Sequence, residues 1–154
     1  MYVGIDLGKR IVACTLLKAD GTEVLTTKGT NTRDGWEIIR RSLPLEGETS
    51  AVIEACCNWS QVHDLLSGWG WKVVVAHPGQ LRLIAESRKK TDTVDSRTLA
   101  RLLHAGFVPA IAIPPRELRE HREILRHRIR LGQDVSKIKN RIQGLLTHAW
   151  VTVP

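Results

Sequence analysis

The sequence predicts an α/β fold, a mixed β-sheet with covering helices, followed by a long basic helix of coiled-coil type. Three observations lead there. The chain opens with three β-patterned segments joined by turn signals, a hairpin meander. Apolar strand patterns then alternate with helical periodicities, the order expected of a sheet with helices laid on it. Finally, no proline interrupts residues 116–149, where Leu131, Val135, Ile138, Ile142, Leu145 and Ala149 recur at spacings of 4-3-4-3-4, the period of a helical seam.

In Tyr2–Leu7, Val3, Ile5 and Leu7 fall on one face of a strand, and Gly8-Lys9 permits a turn. Ile11–Leu17 supplies a second strand, Asp20-Gly21 a hairpin turn, and residues 23–27 a third strand. Asn31 or Thr32 can cap a helix through Trp36, Ile38, Ile39 and Leu43 that ends at Pro44. Residues 50–55 form a short apolar run, read as a buried strand that carries one acid, Glu54. Asn58 or Ser60 caps the next helix, with Val62, Leu65 and Leu66 facing inward and Gly68 and Gly70 closing it. Residues 71–76 are almost wholly apolar, as in a strand covered on both faces. Pro78 opens a short helix through Leu81, Leu83 and Ile84, and another begins at Asp92 and Asp95 and runs to about Gly106. The first strand should be central and parallel to the Glu54 strand, which sets Asp6 beside Glu54.

At 154 residues the chain is long enough for one domain with its own core. No apolar run nears membrane-spanning length, and no charged start leads into a signal-like segment. A soluble, cytoplasmic protein is expected. Cys14, Cys56 and Cys57 make an odd count without zinc-type spacing, so free buried thiols are expected rather than disulfides or metal ligands.

The net charge of +7 is unevenly placed: residues 1–96 hold twelve Lys/Arg and twelve Asp/Glu, residues 97–154 eleven and four. A neutral body with a basic C-terminal third suits a polyanion, most often nucleic acid. A solvated, Arg-rich helix face has the same composition. Arg116, Arg119, Arg122, Arg126, Arg130, Lys137, Lys139 and Arg141 are the candidate contacts on the long helix, which is expected to pack on a partner helix, within the chain or across a dimer.

The acids carry the chemistry. Asp92 and Asp95 stand three residues apart, so on a helix they share a face. Taken alone, such a pair reads first as an ordinary acidic helix start; it can also serve as a pair of oxygen ligands for a hard cation. Asp6 interrupts an apolar strand, and Glu54 sits among Val52, Ile53 and Ala55. A carboxylate in such surroundings should be paired, protonated or metal-bound. Four carboxylates near one sheet edge suit Mg²⁺ or Mn²⁺, whereas zinc would recruit His or Cys. Two such ions could straddle a scissile phosphate. Lys9, Lys89 and Lys90 could hold phosphate or neutralise the acids, or be ordinary surface lysines. The six histidines show no ligand or triad spacing, and no serine sits in a nucleophile setting.

Asp6 on a first strand, Glu54 in Ile-Glu-Ala-Cys-Cys-Asn-Trp, and Lys90-Thr91-Asp92-Thr93-Val94-Asp95-Ser96-Arg97-Thr98-Leu99-Ala100 resemble the N-terminal domain of the DEDD transposases of the insertion sequence 110 family. The likeness continues through Ala76-His77-Pro78, the segment 113–120 and Lys139-Asn140-Arg141-Ile142, nearly the whole chain. Cys56-Cys57 departs from the family's more usual Thr-Gly or Thr-Cys after the glutamate.

The resemblance implies a RuvC-like, ribonuclease-H-type fold with Asp6, Glu54, Asp92 and Asp95 as its tetrad. It implies a metal-dependent DNA recombinase, guided by a structured RNA, that cleaves and transfers strands to move an insertion element. Family members carry a further C-terminal domain with a serine nucleophile, and no residue here matches it. The chain is therefore expected to be an N-terminal catalytic fragment that does not complete strand exchange alone. Residues 1–108 would be the catalytic domain, 109–115 a proline-bounded connector, and 116–154 a basic segment for dimerisation and nucleic-acid binding. A stand-alone RuvC-type junction endonuclease is the nearest alternative. A non-catalytic nucleic-acid-binding dimerisation module is the more distant one.

Overall fold

The first strand occupies the centre of the sheet. β1 (Tyr2–Leu7) pairs antiparallel with β2 (Ile11–Leu17), and β2 antiparallel with β3 (Glu23–Thr30). On its other side β1 runs parallel to β4 (Ser50–Glu54), which runs parallel to β5 (Lys72–Ala76), giving the order β3-β2-β1-β4-β5. Among the described residues, four helices accompany this sheet: α1 (Arg33–Ser42), α2 (Trp59–Gly68), α3 (Pro78–Ile84) and α4 (Asp92–His104). The mixed sheet with its helices is the expected α/β, RuvC-like arrangement of the ribonuclease-H type. The computed structural model describes residues 1–56, 58–84 and 92–151, without the side chains of residues 82–84 and 92–95.

Local chemistry explains the element ends. Gly21 takes φ 83° in the β2–β3 turn, a conformation that costs other residues a Cβ clash. Asp20 Oδ1 accepts from the Thr22 amide at 2.9 Å and closes that turn. Thr32 caps α1 by accepting from the Gly35 amide at 3.1 Å. Asn31 instead braces the neighbouring turn, its Nδ2 donating to the Gly8 carbonyl at 2.7 Å and its Oδ1 accepting from Trp36 Nε1 at 3.1 Å.

The two sheet faces are covered by different helices. Gly29 lies against Ile39 of α1, and its register partner Val12 faces the same way, as do Leu7 and Ile5. α1 and α2 meet on this face, where Asn31, Trp36, Val62 and Leu65 line a cleft of about 390 Å³. The opposite face carries Gly4, where any side chain would collide with the Ser96 carbonyl and Ala100 amide of α4. Val52, Ala76 and Leu81 pack with Leu99 of α4 on that face as well. Burying these aliphatic side chains is the main favourable term holding the unit together, about 1.5–3 kcal/mol for each fully buried one.

Several expectations need correction. β3 runs on to Thr30 rather than stopping at residue 27, because Lys28, Gly29 and Thr30 continue the ladder opposite Ala13, Val12 and Ile11. Ile38 is 67% exposed and lies off the inner face of α1, which is formed by Gly35, Trp36 and Ile39. β5 lies at the sheet edge, with Val73 and Val74 half-buried instead of covered on both sides. Residues 109–111 are more than a connector. The His77 amide donates to the Pro109 carbonyl, the Ile111 amide to the Val75 carbonyl, and Ala76 bridges Ala110.

Contacts between Cα atoms divide the chain into two compact units, Met1–Ala112 and Ile113–Pro154. The second is built on α5 (Arg116–His148), 33 residues long and unbroken through Gly132 and Gly144. None of its residues is buried, and all six seam positions are exposed. Arg116 pairs with Glu120 at 2.7 Å and Lys137 with Asp134 at 3.0 Å. Arg119 is half-buried and spends its Nε on the Pro114 carbonyl at 3.1 Å, satisfying backbone at the helix start.

Among the described cysteines, Cys14 and Cys56 are free thiols. Burial pushes the Cys14 thiol up to about 12, so it stays neutral. Cys56 is half-buried rather than buried, and Cys57 lies outside the described residues. No helix among the described residues is long and apolar enough to cross a membrane.

Candidate active site

Asp6 and Glu54 are brought together by the sheet. Ile5 stands in register with Ile53, so Asp6 and Glu54 each follow by one residue on adjacent parallel strands, about 4.8 Å apart backbone to backbone. Strand alternation puts Asp6 on the face of Gly4 and Glu54 on the face of Val52, and Gly4 and Val52 are themselves partners. Both carboxylates therefore point to the side covered by α4. Both are half-buried, a setting in which charge is neither fully hydrated nor fully excluded from water.

The direction of α4 follows from two contacts. Its Ser96–Ala100 segment crosses β1 at Gly4, while His104, one turn further on, stacks edge-on against Tyr2 with ring centroids 5.1 Å apart. The helix thus runs antiparallel to β1. Its backbone traced toward the N-terminus, to Asp92 and Asp95, heads to the strand end that holds Asp6. The side chains of Asp92 and Asp95 lie outside the described residues. Among the described residues no group of three or more His, Cys, Asp or Glu forms a metal-binding cluster.

The loops at this edge are tied to the strand ends. The Cys56 thiol donates to the Leu7 carbonyl at 3.5 Å, folding the segment after β4 over the end of β1. Lys9 is exposed in the turn that follows β1, and the Asn31 amide donates to the Arg10 carbonyl at 2.8 Å to hold that turn. Lys9 therefore projects from the same edge as the acid pair. Lys89 and Lys90 lie outside the described residues. Arg122, Arg126, Arg130, Lys137, Lys139 and Arg141 are exposed along α5 in the other unit.

A polar path that the sequence did not signal runs beneath α4. Thr15, Thr26 and Ser96 are joined by hydroxyl hydrogen bonds and end at Glu23 and Arg97. The only local hint was a threonine in the middle of the apolar strand Ile11–Leu17.

A family model for insertion sequence 110 DEDD transposases, described as a transposase, matches residues 3–151. No curated protein matches the chain.

Proposed function

This chain belongs to the DEDD transposases of the insertion sequence 110 family, and we propose that its sheet unit contributes the metal-dependent carboxylate part of DNA strand cleavage and transfer, through Asp6, Glu54, Asp92 and Asp95, without completing strand exchange alone. A transposase acts on DNA, and the coarse class, a nucleic-acid-processing enzyme, follows from the family itself. The observation that carries the finer reading is the register of β1 and β4. It seats two half-buried carboxylates side by side on the face toward which the acidic first turn of α4 is directed.

The donor set suits a hard cation. Asp6 and Glu54 offer oxygen, and the Cys56 thiol is engaged with the Leu7 carbonyl. Asp6, Glu54, Asp92 and Asp95 would hold Mg²⁺ or Mn²⁺, which when bound supplies an activated oxygen nucleophile and a counter-charge for the scissile phosphate. The protein's own part is to hold the carboxylates in place and to present cations to the backbone of the nucleic acid. Lys9 at the site edge and Lys89 and Lys90 just before α4 would take up phosphates. The exposed arginines and lysines of α5 would bind DNA together with a structured guide RNA, and its apolar seam would pair two copies of the chain.

Metal titration of the full chain tests the reading. Converging carboxylates repel one another without metal, so Mg²⁺ or Mn²⁺ should raise the melting temperature, by about 2.7 kcal/mol of stability at a hundredfold excess over the dissociation constant. Asp92→Asn should weaken that response. Identical melting with and without millimolar metal, in both proteins, would remove the four-carboxylate site.

A further inference from the structure

We infer that Thr15, Thr26 and Ser96, tied off by the Glu23–Arg97 ion pair, are positioning residues that hold the first turn of α4 against Asp6 and Glu54. The inference rests on the four-carboxylate reading above and adds to it the device that sets one half of the tetrad on the other.

Thr15 and Ser96 are wholly shielded from solvent, and their hydroxyl oxygens lie 3.0 Å apart. Thr15 meets Thr26 at 3.0 Å, and Thr26 donates to Glu23 Oε1 at 3.1 Å. Arg97 grips the same carboxylate with two bonds, Nε to Oε2 at 2.7 Å and Nη2 to Oε1 at 2.8 Å. Register explains the alignment, since Gly4, Thr15 and Thr26 are successive cross-strand partners on the α4 face. The path leaves the helix at Ser96, crosses β2 and β3, and returns to the helix at Arg97. It is a closed circuit.

One direction satisfies the three hydroxyl bonds together. Each hydroxyl has one proton to give. Thr26 gives its proton to the carboxylate, so Thr15 must donate to Thr26 and Ser96 to Thr15 for all three bonds to form together. The Arg97 hydrogen bonds hold the Glu23 carboxyl below its ordinary range, so the terminal acceptor stays ionised to lower pH than an ordinary glutamate.

Stability alone does not call for this arrangement. Two buried hydroxyls cost free energy unless paired, and an apolar pair of the same shape can serve a core about as well. Apolar packing, however, tolerates small slides of a helix over a sheet, whereas directional hydrogen bonds do not. Gly4 lets the α4 backbone settle onto β1, and the circuit fixes where along the strand it settles. The first fixed residue, Ser96, directly follows Asp95.

The test compares the full-length wild-type chain with Thr15→Val/Ser96→Ala, which removes both buried hydroxyls together, and with Thr15→Ser, which keeps the hydroxyl. Two readouts are taken: Mn²⁺ binding by electron paramagnetic resonance, and hydrogen exchange without metal at the amides of residues 96–100. Those amides bond the carbonyls of the first turn of α4. The double variant should fold, exchange faster at these amides, and bind Mn²⁺ about tenfold more weakly. Thr15→Ser should stay within about twofold of wild type on both. Unchanged exchange in the double variant would overturn the proposal, whatever the metal does. Faster exchange with wild-type Mn²⁺ affinity would also overturn it, by separating the circuit from the site. If wild type itself binds no Mn²⁺, the four-carboxylate reading falls, and the exchange result alone decides whether the circuit positions α4.

Discussion

In the sheet unit, Val3, Ile5, Val12, Leu16, Val52 and Ile53 are wholly shielded from solvent, whereas α5, with 33 residues, buries none. Residue type does not explain the contrast, because α5 also repeats aliphatic side chains, among them Ile124, Leu131, Val135, Ile138 and Ile142. Geometry does. A sheet and the helices lying on it cover one another's apolar faces, so the pattern is satisfied within the unit. A single helix presents an apolar stripe that it cannot cover itself, and helices draw most of their stability from tertiary packing of that stripe. The sheet unit therefore covers its own apolar pattern, while α5 depends for its stability on what covers its stripe. The electrostatics divide in the same way. On α5 the Arg116–Glu120 and Lys137–Asp134 pairs join residues four and three apart, while Arg97–Glu23 ties the α4 helix to a β-strand far away in sequence.

The sharpest way to break this contrast is to attack the sheet unit where it has least room. Gly4→Val sets a branched side chain against the Ser96 carbonyl and the Ala100 amide, both backbone atoms that cannot turn aside. Overpacking of this kind should cost at least about 3 kcal/mol and lower the melting temperature by more than about 10 °C. A wild-type melting curve would show that α4 is not seated on β1 as described.

A smaller effect should come from the other side of the comparison. Glu at both Ile138 and Ile142 charges the exposed seam, and sedimentation should then show loss of self-association. Melting of the sheet unit should move by no more than about 0.5 kcal/mol, the usual range for surface substitutions. A wild-type chain that stays monomeric at high concentration would leave the stripe for another partner.

The mildest change concerns charge. Alanine at Arg122, Arg126 and Arg130 should leave melting unchanged and flatten the salt dependence of duplex DNA binding. The log–log slope should become shallower by about 0.9 for each phosphate that is no longer neutralised. An unaltered slope would move nucleic-acid binding off this stretch of α5.

What could be read from the sequence depended on how local the cause was. The β2–β3 turn was legible because Asp20 and Gly21 do their work within four residues. The parallel pairing of β1 with β4 was legible as a consequence of element order, and with it the meeting of Asp6 and Glu54. The end of β3 was hidden because Lys28, Gly29 and Thr30 carry no apolar alternation on a strand at the sheet edge. The pairing of Ala110 with Ala76 was hidden as well, since backbone hydrogen bonds leave no side-chain signature. Most hidden of all was the bond between Thr15 and Ser96, 81 residues apart, where neither residue signals a partner. Acids in apolar strands attract notice, but a hydroxyl in a strand does not.

The strand order has a consequence in time. During synthesis β1 emerges before β4, yet β4 is one of its two neighbours in the finished sheet. The β1–β2–β3 meander can form early from contacts near in sequence, whereas the parallel pairing waits for a distant segment and is intrinsically slower. In the interval the β1 edge meant for β4 is open, the kind of edge that invites wrong pairing with another chain. For the same interval Asp6 has no acid from β4 beside it, and α4 has not yet been made. An unfinished chain on the ribosome, close to its own message, is thus a half-sheet without a paired carboxylate.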